Sequence, residues 1–201
     1  IYKIENEDLY LIGTAEHALN AYYMDETLQA ENLPIRFAGI SPCFRKEAGS
    51  HGKDTKGIFR IHQFEKVEQF IFCKPEQAWK EFDAILENTK EIFKKLEIPF
   101  RAVVLSSQDM GRTAAKTIDI EGWFPSQKEY RELGSCSNCT DYQARRSSKS
   151  RPSPGRTWRS RAAASVTATT RRSCEGDVGD LLDFSLPIGG APWVEAGRIL
   201  S

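Results

Sequence analysis

The strongest periodicity in the chain runs from Pro75 to Leu96. Trp79, Phe82, Ile85, Leu86, Ile92, Phe93 and Leu96 fall there on one apolar stripe at helical spacing. A proline in the first turn suits a helix start, because the amide it lacks would have no partner there. Between Leu9 and Ala30, Thr14-Ala15-Glu16 can open a second helix, with Leu19, Tyr22 and Tyr23 at near-helical spacing. Ile35 to Phe44, entered through Pro34, and Ile58 to Cys73 read as extended segments. The polar stretch between them, residues 48–57, makes the pair a predicted hairpin with a long tip. Phe100 to Leu105, Ile118 to Phe124 and Glu129 to Cys136 are further strand candidates. Hairpins with one long helix between them predict an α+β fold, an antiparallel β-sheet flanked by helices.

The composition fits a soluble globular protein. The chain has 201 residues, 40% hydrophobic and 28% charged, with 28 basic and 28 acidic side chains. A disordered tail, a fibre and a disulfide-rich mini-protein are excluded. No apolar run reaches the roughly 18 residues that span a bilayer, and no signal-peptide pattern appears. Ile1 in place of Met suggests a fragment or a processed product. Five irregularly placed cysteines suggest a reducing compartment, and the cytoplasm is the expected location. Charge is unevenly spread: residues 147–201 hold 8 basic and 5 acidic side chains against 20 and 23 in residues 1–146. Lysine outnumbers arginine 12 to 8 before Ser147, whereas 1 lysine and 7 arginines follow. Two segments are therefore expected, 1–146 and an Arg/Ser-rich tail 147–201 without sustained period.

The hairpin carries the candidate chemistry. Strand alternation puts Arg45 and Glu47 on one face of the first arm, and Arg60, Phe64 and Glu68 on one face of the second. Two guanidiniums, two carboxylates and a ring make a poor core and a good floor for a charged, planar ligand. Arginine grips phosphate oxygens bidentately and stacks on flat rings. An exposed face with cross-strand ion pairs, each contributing under about 1 kcal/mol, fits the same pattern. Glu132 and Ser135, near a strand end, can share a hard cation such as magnesium if phosphate oxygens complete the shell; an ordinary strand end fits them too. Cys136-Ser137-Asn138-Cys139 has the spacing of half a zinc site, but lacks a second pair and reads as a structural loop. His62 lies on the pocket face without a partner that makes it a base, and Trp79 and the tyrosines read as packing.

Taken together, Phe44-Arg45-Lys46-Glu47, the 48–57 stretch and Phe59-Arg60-Ile61-His62-Gln63-Phe64 resemble the second signature motif of class II aminoacyl-tRNA synthetases, and within them the seryl-tRNA synthetases. Thr14-Ala15-Glu16 resembles that family's serine-binding element. Asp119 to Pro125, Tyr130-Arg131-Glu132, Ser135 to Asn138 and Gln143-Ala144-Arg145-Arg146 resemble its later segments. The likeness runs from about Tyr10 to Arg146.

This resemblance implies an ATP-dependent serine–tRNA ligase that forms seryl-adenylate and passes serine to tRNA(Ser). Arg45 would hold the α-phosphate, Glu47 the adenine amine and Phe64 the ring, with Arg60 on the phosphates or over the ring. Thr14 and Glu16 would bind the serine ammonium, alongside Arg45, and Glu68 the hydroxyl. Glu132 and Ser135 would ligate magnesium. His51, Lys53 and Lys56 would reach toward the tRNA acceptor end. The full-length parent would be a homodimer, with no membrane partner.

Other family parts have no counterpart in the sequence. The coiled-coil arm, the first motif and the serine-pocket segment before the third motif are absent, and residues 147–201 offer only Gly189-Gly190 and Gly197-Arg198 where a glycine-rich strand and helix ending in arginine is expected. A frameshifted or mis-joined tail after Arg146 would account for this. Loss of such an arginine costs about 100–1,000-fold in rate, so this chain by itself is expected to be inactive or nearly so. An amino acid:carrier-protein ligase of the same fold and a non-catalytic paralogue are the alternatives.

Overall fold

A computed structural model describes residues 1–26, 28–47, 61–147, 170–172 and 194–195. The hairpin forms as its apolar pattern requires. β1 (Ile35–Phe44) and β2 (Gln63–Phe72) pair antiparallel from Ile35 opposite Phe72 to Phe44 opposite Gln63. Alternation gives β2 two faces: Phe64, Lys66, Glu68, Phe70 and Phe72 on the front, Gln69 and Ile71 on the back.

The back face meets α2 (Ala78–Lys95), which Pro75–Gln77 opens as a short tighter turn. Phe82, Ile85, Leu86 and Phe93 of α2 bury with Ile71, Cys73, Ile118, Ile120 and Cys136 in one cluster. Trp79 and Leu96, placed on the same stripe by periodicity, lie at its ends and remain nearly half exposed. The helix stops in a left-handed residue, Glu97, with φ 54°. The Ile98 amide then donates to Phe93 O and the Glu97 amide to Lys94 O, which satisfies the last carbonyls. Arg36 of β1 grips Glu81 of α2 through two bonds of 2.8 and 2.7 Å, both side chains nearly buried.

A second sheet completes the back cluster. β3 (Phe100–Val104), β4 (Lys116–Phe124) and β5 (Glu129–Asn138) are antiparallel in the order β3-β4-β5. The register jumps between Ile120 opposite Gly134 and Glu121 opposite Glu132, so Leu133 is an extra, bulged residue. On the front face of β1 and β2, α1 (Ala15–Ala21) buries Ala15 and Leu19 against Phe37, Phe70 and Phe72. α3 (Tyr142–Ser147) closes the segment beside α1.

Past Arg146, β6 (Thr170–Arg172) pairs antiparallel with β2, and β7 (Val194–Glu195) pairs parallel with β1. Strands of three and two residues are too short to leave a period in a sequence, which is why none was legible there. The arrangement is the expected α+β one, mainly antiparallel sheets with helices against them. Among the described residues, no helix is long and apolar enough to cross a membrane.

Candidate functional site

The front of the hairpin holds a buried polar cluster built from two elements, the start of α1 and β2. Thr14 caps α1, its Oγ1 accepting from the Glu16 amide at 3.3 Å. The same oxygen accepts from Lys66 Nζ at 2.9 Å and donates to Glu68 Oε2 at 3.1 Å. Lys66 Nζ also lies 2.6 Å from Glu68 Oε2, and the two side chains are 5% and 0% exposed. Alternation on β2 points both inward, and Gly39 opposite Glu68 leaves room for the end of Leu19. Burial pushes the Glu68 carboxyl up to about 7; the Lys66 charge and bonds from Lys66 and Thr14 oppose that shift, while Glu16 adds to it. The second oxygen, Glu68 Oε1, is buried with no hydrogen-bond partner among the described residues.

Arg45 stands at the mouth of this cluster. Its guanidinium lies 5.3 Å from the centre of the buried Phe64 ring, and its Nε donates to Gly13 O at 3.1 Å. The Phe44 amide donates to Ile12 O, so the Gly13–Thr14 turn is strapped to the end of β1. A cleft of about 570 Å³ opens there, lined among others by Gly13, Thr14, His17, Arg45 and Glu47, a size suited to a small ligand. Strand alternation was expected to set Arg45 and Glu47 on one face. β1 instead ends at Phe44, and Glu47 has φ 49°, so both reach the cleft from irregular backbone. Glu16 accepts a short bond from Gln143 Nε2 of α3. Arg60 and the 48–57 stretch, with His51, Lys53 and Lys56, lie outside the described residues.

Glu132 and Ser135 sit on the second sheet. Simple alternation would put residues three apart on opposite faces, but the Leu133 bulge resets the parity. Glu132 pairs with Glu121 and Ser135 with Asp119, and those two share a face of β4. Glu132 is exposed and Ser135 half-buried. Beside them Asp119 is 8% exposed, its Oδ1 lacks a hydrogen-bond partner among the described residues, and burial raises its pKa against a bond from Ser135. These hard oxygen donors and an orphaned carboxylate oxygen suit a hard cation. Among the described residues no group of three or more His, Cys, Asp or Glu side chains can hold a metal, so substrate oxygens would have to complete its shell.

Cys136 and Cys139 are buried thiols, hydrogen-bonded toward Thr89 and Thr113. Burial pushes the Cys136 thiol up to about 12, so it stays protonated in the core. His62 Nδ1 meets the Tyr2 hydroxyl at 2.7 Å and Arg45 O at 3.2 Å, a bracing position at the strand entrance. Asp119 and Gln143 fall in the resembling segments without a role of their own, and Lys66 is assigned none. The signal for Lys66 was present: it lies midway between Phe64 and Glu68 and so shares their face.

The tRNA synthetase class II core domain (G, H, P, S and T) matches residues 2–151. The chain is 59% identical over 146 residues to a serine–tRNA ligase of Nitrosopumilus maritimus, covering 73% of this chain and 35% of that protein. A serine–tRNA ligase of Thermoplasma acidophilum is 49% identical over 205 residues, covering 98% of this chain and 46% of its own length. Among solved structures, seryl-tRNA synthetase from Pyrococcus horikoshii complexed with ATP superposes with a TM-score of 0.73 at 48% identity, over 85% of this chain and 37% of that one. The chain thus spans between a third and a half of the length of these relatives. With three quarters of its residues inside the matched domain, the chain belongs to the family of class II tRNA synthetase core domains.

Proposed function

We propose that this chain is the ATP- and serine-binding part of a serine–tRNA ligase. The observation that carries the reading is the adjacency of Arg45, poised over Phe64, and the buried Thr14–Lys66–Glu68 cluster. A phosphate-gripping cation beside a carboxylate sunk where a small polar side chain could reach it is what joining serine to ATP requires. The relatives' names and the ATP complex of the Pyrococcus enzyme support it.

Serine's carboxylate oxygen would bond to the α-phosphorus of ATP as the bond to the bridging oxygen breaks and pyrophosphate leaves. The hydroxyl of the terminal adenosine of tRNA(Ser) would then attack the seryl carbonyl, and AMP would depart. Arg45 would neutralise charge on the α-phosphate, with Arg60 assisting from the return arm. Phe64 would carry the adenine and Glu47 would accept its amine. Glu16 and Thr14 would lie at the serine ammonium, and Glu68 at the hydroxyl. Positioning and fixed charge supply most of the rate in such a reaction. Glu132 and Ser135 would hold magnesium, which supplies charge neutralisation on the phosphates.

The same reading places the protein in the cytoplasm, as a homodimer at full length, with residues 1–146 as the synthetase segment and 147–201 as a tail outside the chemistry. Calorimetric titration of the 201-residue chain with seryl-sulfamoyl-adenosine, a stable mimic of seryl-adenylate, tests it. Binding is expected, and Arg45→Ala should weaken it about 100-fold. No binding by the wild type, or none of it lost in Arg45→Ala, contradicts the reading.

A further inference from the structure

The Thr14 hydroxyl has no bonding capacity left. A hydroxyl owns one proton and two lone pairs. Its oxygen already accepts from Lys66 Nζ and the Glu16 amide, and its proton goes to Glu68 Oε2. Oε2 is taken in turn by Thr14 and Lys66. The remaining acceptor is Glu68 Oε1, buried and without a partner among the described residues.

We propose that Lys66 is a positioning residue for serine selection: its ammonium clamps Thr14 Oγ1 and Glu68 Oε2 together, so that of the Thr14 and Glu68 oxygens Glu68 Oε1 is the one presented to the substrate hydroxyl. This rests on the serine-activating reading above and changes one role within it. Thr14 orients Glu68 and contributes no side-chain bond to the amino acid.

The clamp also sets the charge of the acceptor. The charged groups acting on Glu68 are Lys66 on its own strand and Glu16 from α1, while β1 places only Gly39 opposite it. Lys66 is the one cation among them, and it opposes the burial that favours a protonated carboxyl. An ionised carboxylate is a stronger acceptor for a hydroxyl than a neutral acid. Discrimination between serine and alanine therefore depends on Lys66, although the lysine touches neither.

The test is the ratio of affinities for seryl- and alanyl-sulfamoyl-adenosine, measured by calorimetry on the whole chain from about pH 6 to about pH 9. In the wild type the ratio should fall as pH drops through about 7, where Glu68 takes up its proton. Lys66→Met should lower the ratio on the order of 10-fold at neutral pH and move its midpoint upward. Lys66→Arg should keep the wild-type midpoint. A Lys66→Met ratio and midpoint equal to wild type, or equal losses for both ligands at every pH, overturns the proposal. Should Lys66→Met fail to fold, Glu68→Gln decides: the pH dependence of the ratio must vanish there, and its persistence overturns the proposal. A wild type that binds neither ligand removes the serine-activating reading and this inference with it. A wild type that binds both, with an unmoved ratio in Lys66→Met, removes the inference alone.

Discussion

Two carboxylates on the front of the molecule are held in opposite ways. Glu68 is fully buried beside its own cation, Lys66. Glu132 is exposed on a bulged strand of the second sheet. A sunken carboxylate with a built-in counter-ion can read a small neutral group, because its acceptor strength is fixed before the ligand arrives. A solvated one is suited to a cation that comes and goes with the substrate. The difference begins in the backbone. Regular alternation drives Lys66 and Glu68 inward together, whereas one extra residue, Leu133, turns Glu132 toward the face of Ser135 and Asp119.

The largest effect should come from removing the buried cation. Lys66→Met is expected to cost about 3 kcal/mol of unfolding free energy near pH 8, measured by urea denaturation, and less near pH 5, where Glu68 escapes by taking a proton. Next comes the linkage itself. The Glu68 carboxyl is raised from 4.5 to about 7 in the fold, so between those values the folded state keeps a proton that the unfolded chain has lost. That contribution to stability is full below pH 4.5 and fades as pH rises to about 7. Glu68→Gln has no such titration, so its stability relative to wild type should rise by about 3 kcal/mol across that window. A constant difference would contradict the assignment.

On the other sheet, Gly122→Ala would press a methyl into the end of the Leu133 side chain, which must move aside. A loss of about 1–2 kcal/mol is expected, with weakened magnesium dependence of ligand binding and an unchanged seryl-to-alanyl ratio. A changed ratio would show that the two carboxylate sites are not separable. Smallest is Arg101→Met, which removes a partly exposed ion pair with Glu121 and the guanidinium over the Tyr130 ring. It should change the urea midpoint by less than about 1 kcal/mol in free-energy terms.

How far the sequence carried can be read from these same residues. The α2 stripe, both long hairpin arms and the Thr14 cap were legible, because each depends on local period or a capping side chain. Phe64 and Glu68 on one inward face followed from alternation. The joint placement of Glu132 and Ser135 did not, since a bulge depends on cross-strand register that no single strand displays. The exposure of Trp79 was hidden as well: it lies at the end of the stripe, where Ala78 and Phe82 on either side are buried but the indole is nearly half exposed. Lys66 was overlooked because a lysine between two functional residues reads as surface charge until a partner is seen beneath it.

The most direct test of the account is the ratio of affinities of the wild-type chain for seryl- and alanyl-sulfamoyl-adenosine near pH 8. A pocket in which Glu68 Oε1 is the open acceptor for the substrate hydroxyl should favour the seryl ligand by roughly 100-fold or more, because the alanyl ligand leaves that oxygen unpaired. Equal affinities would contradict the claim that this buried carboxylate reads the amino acid.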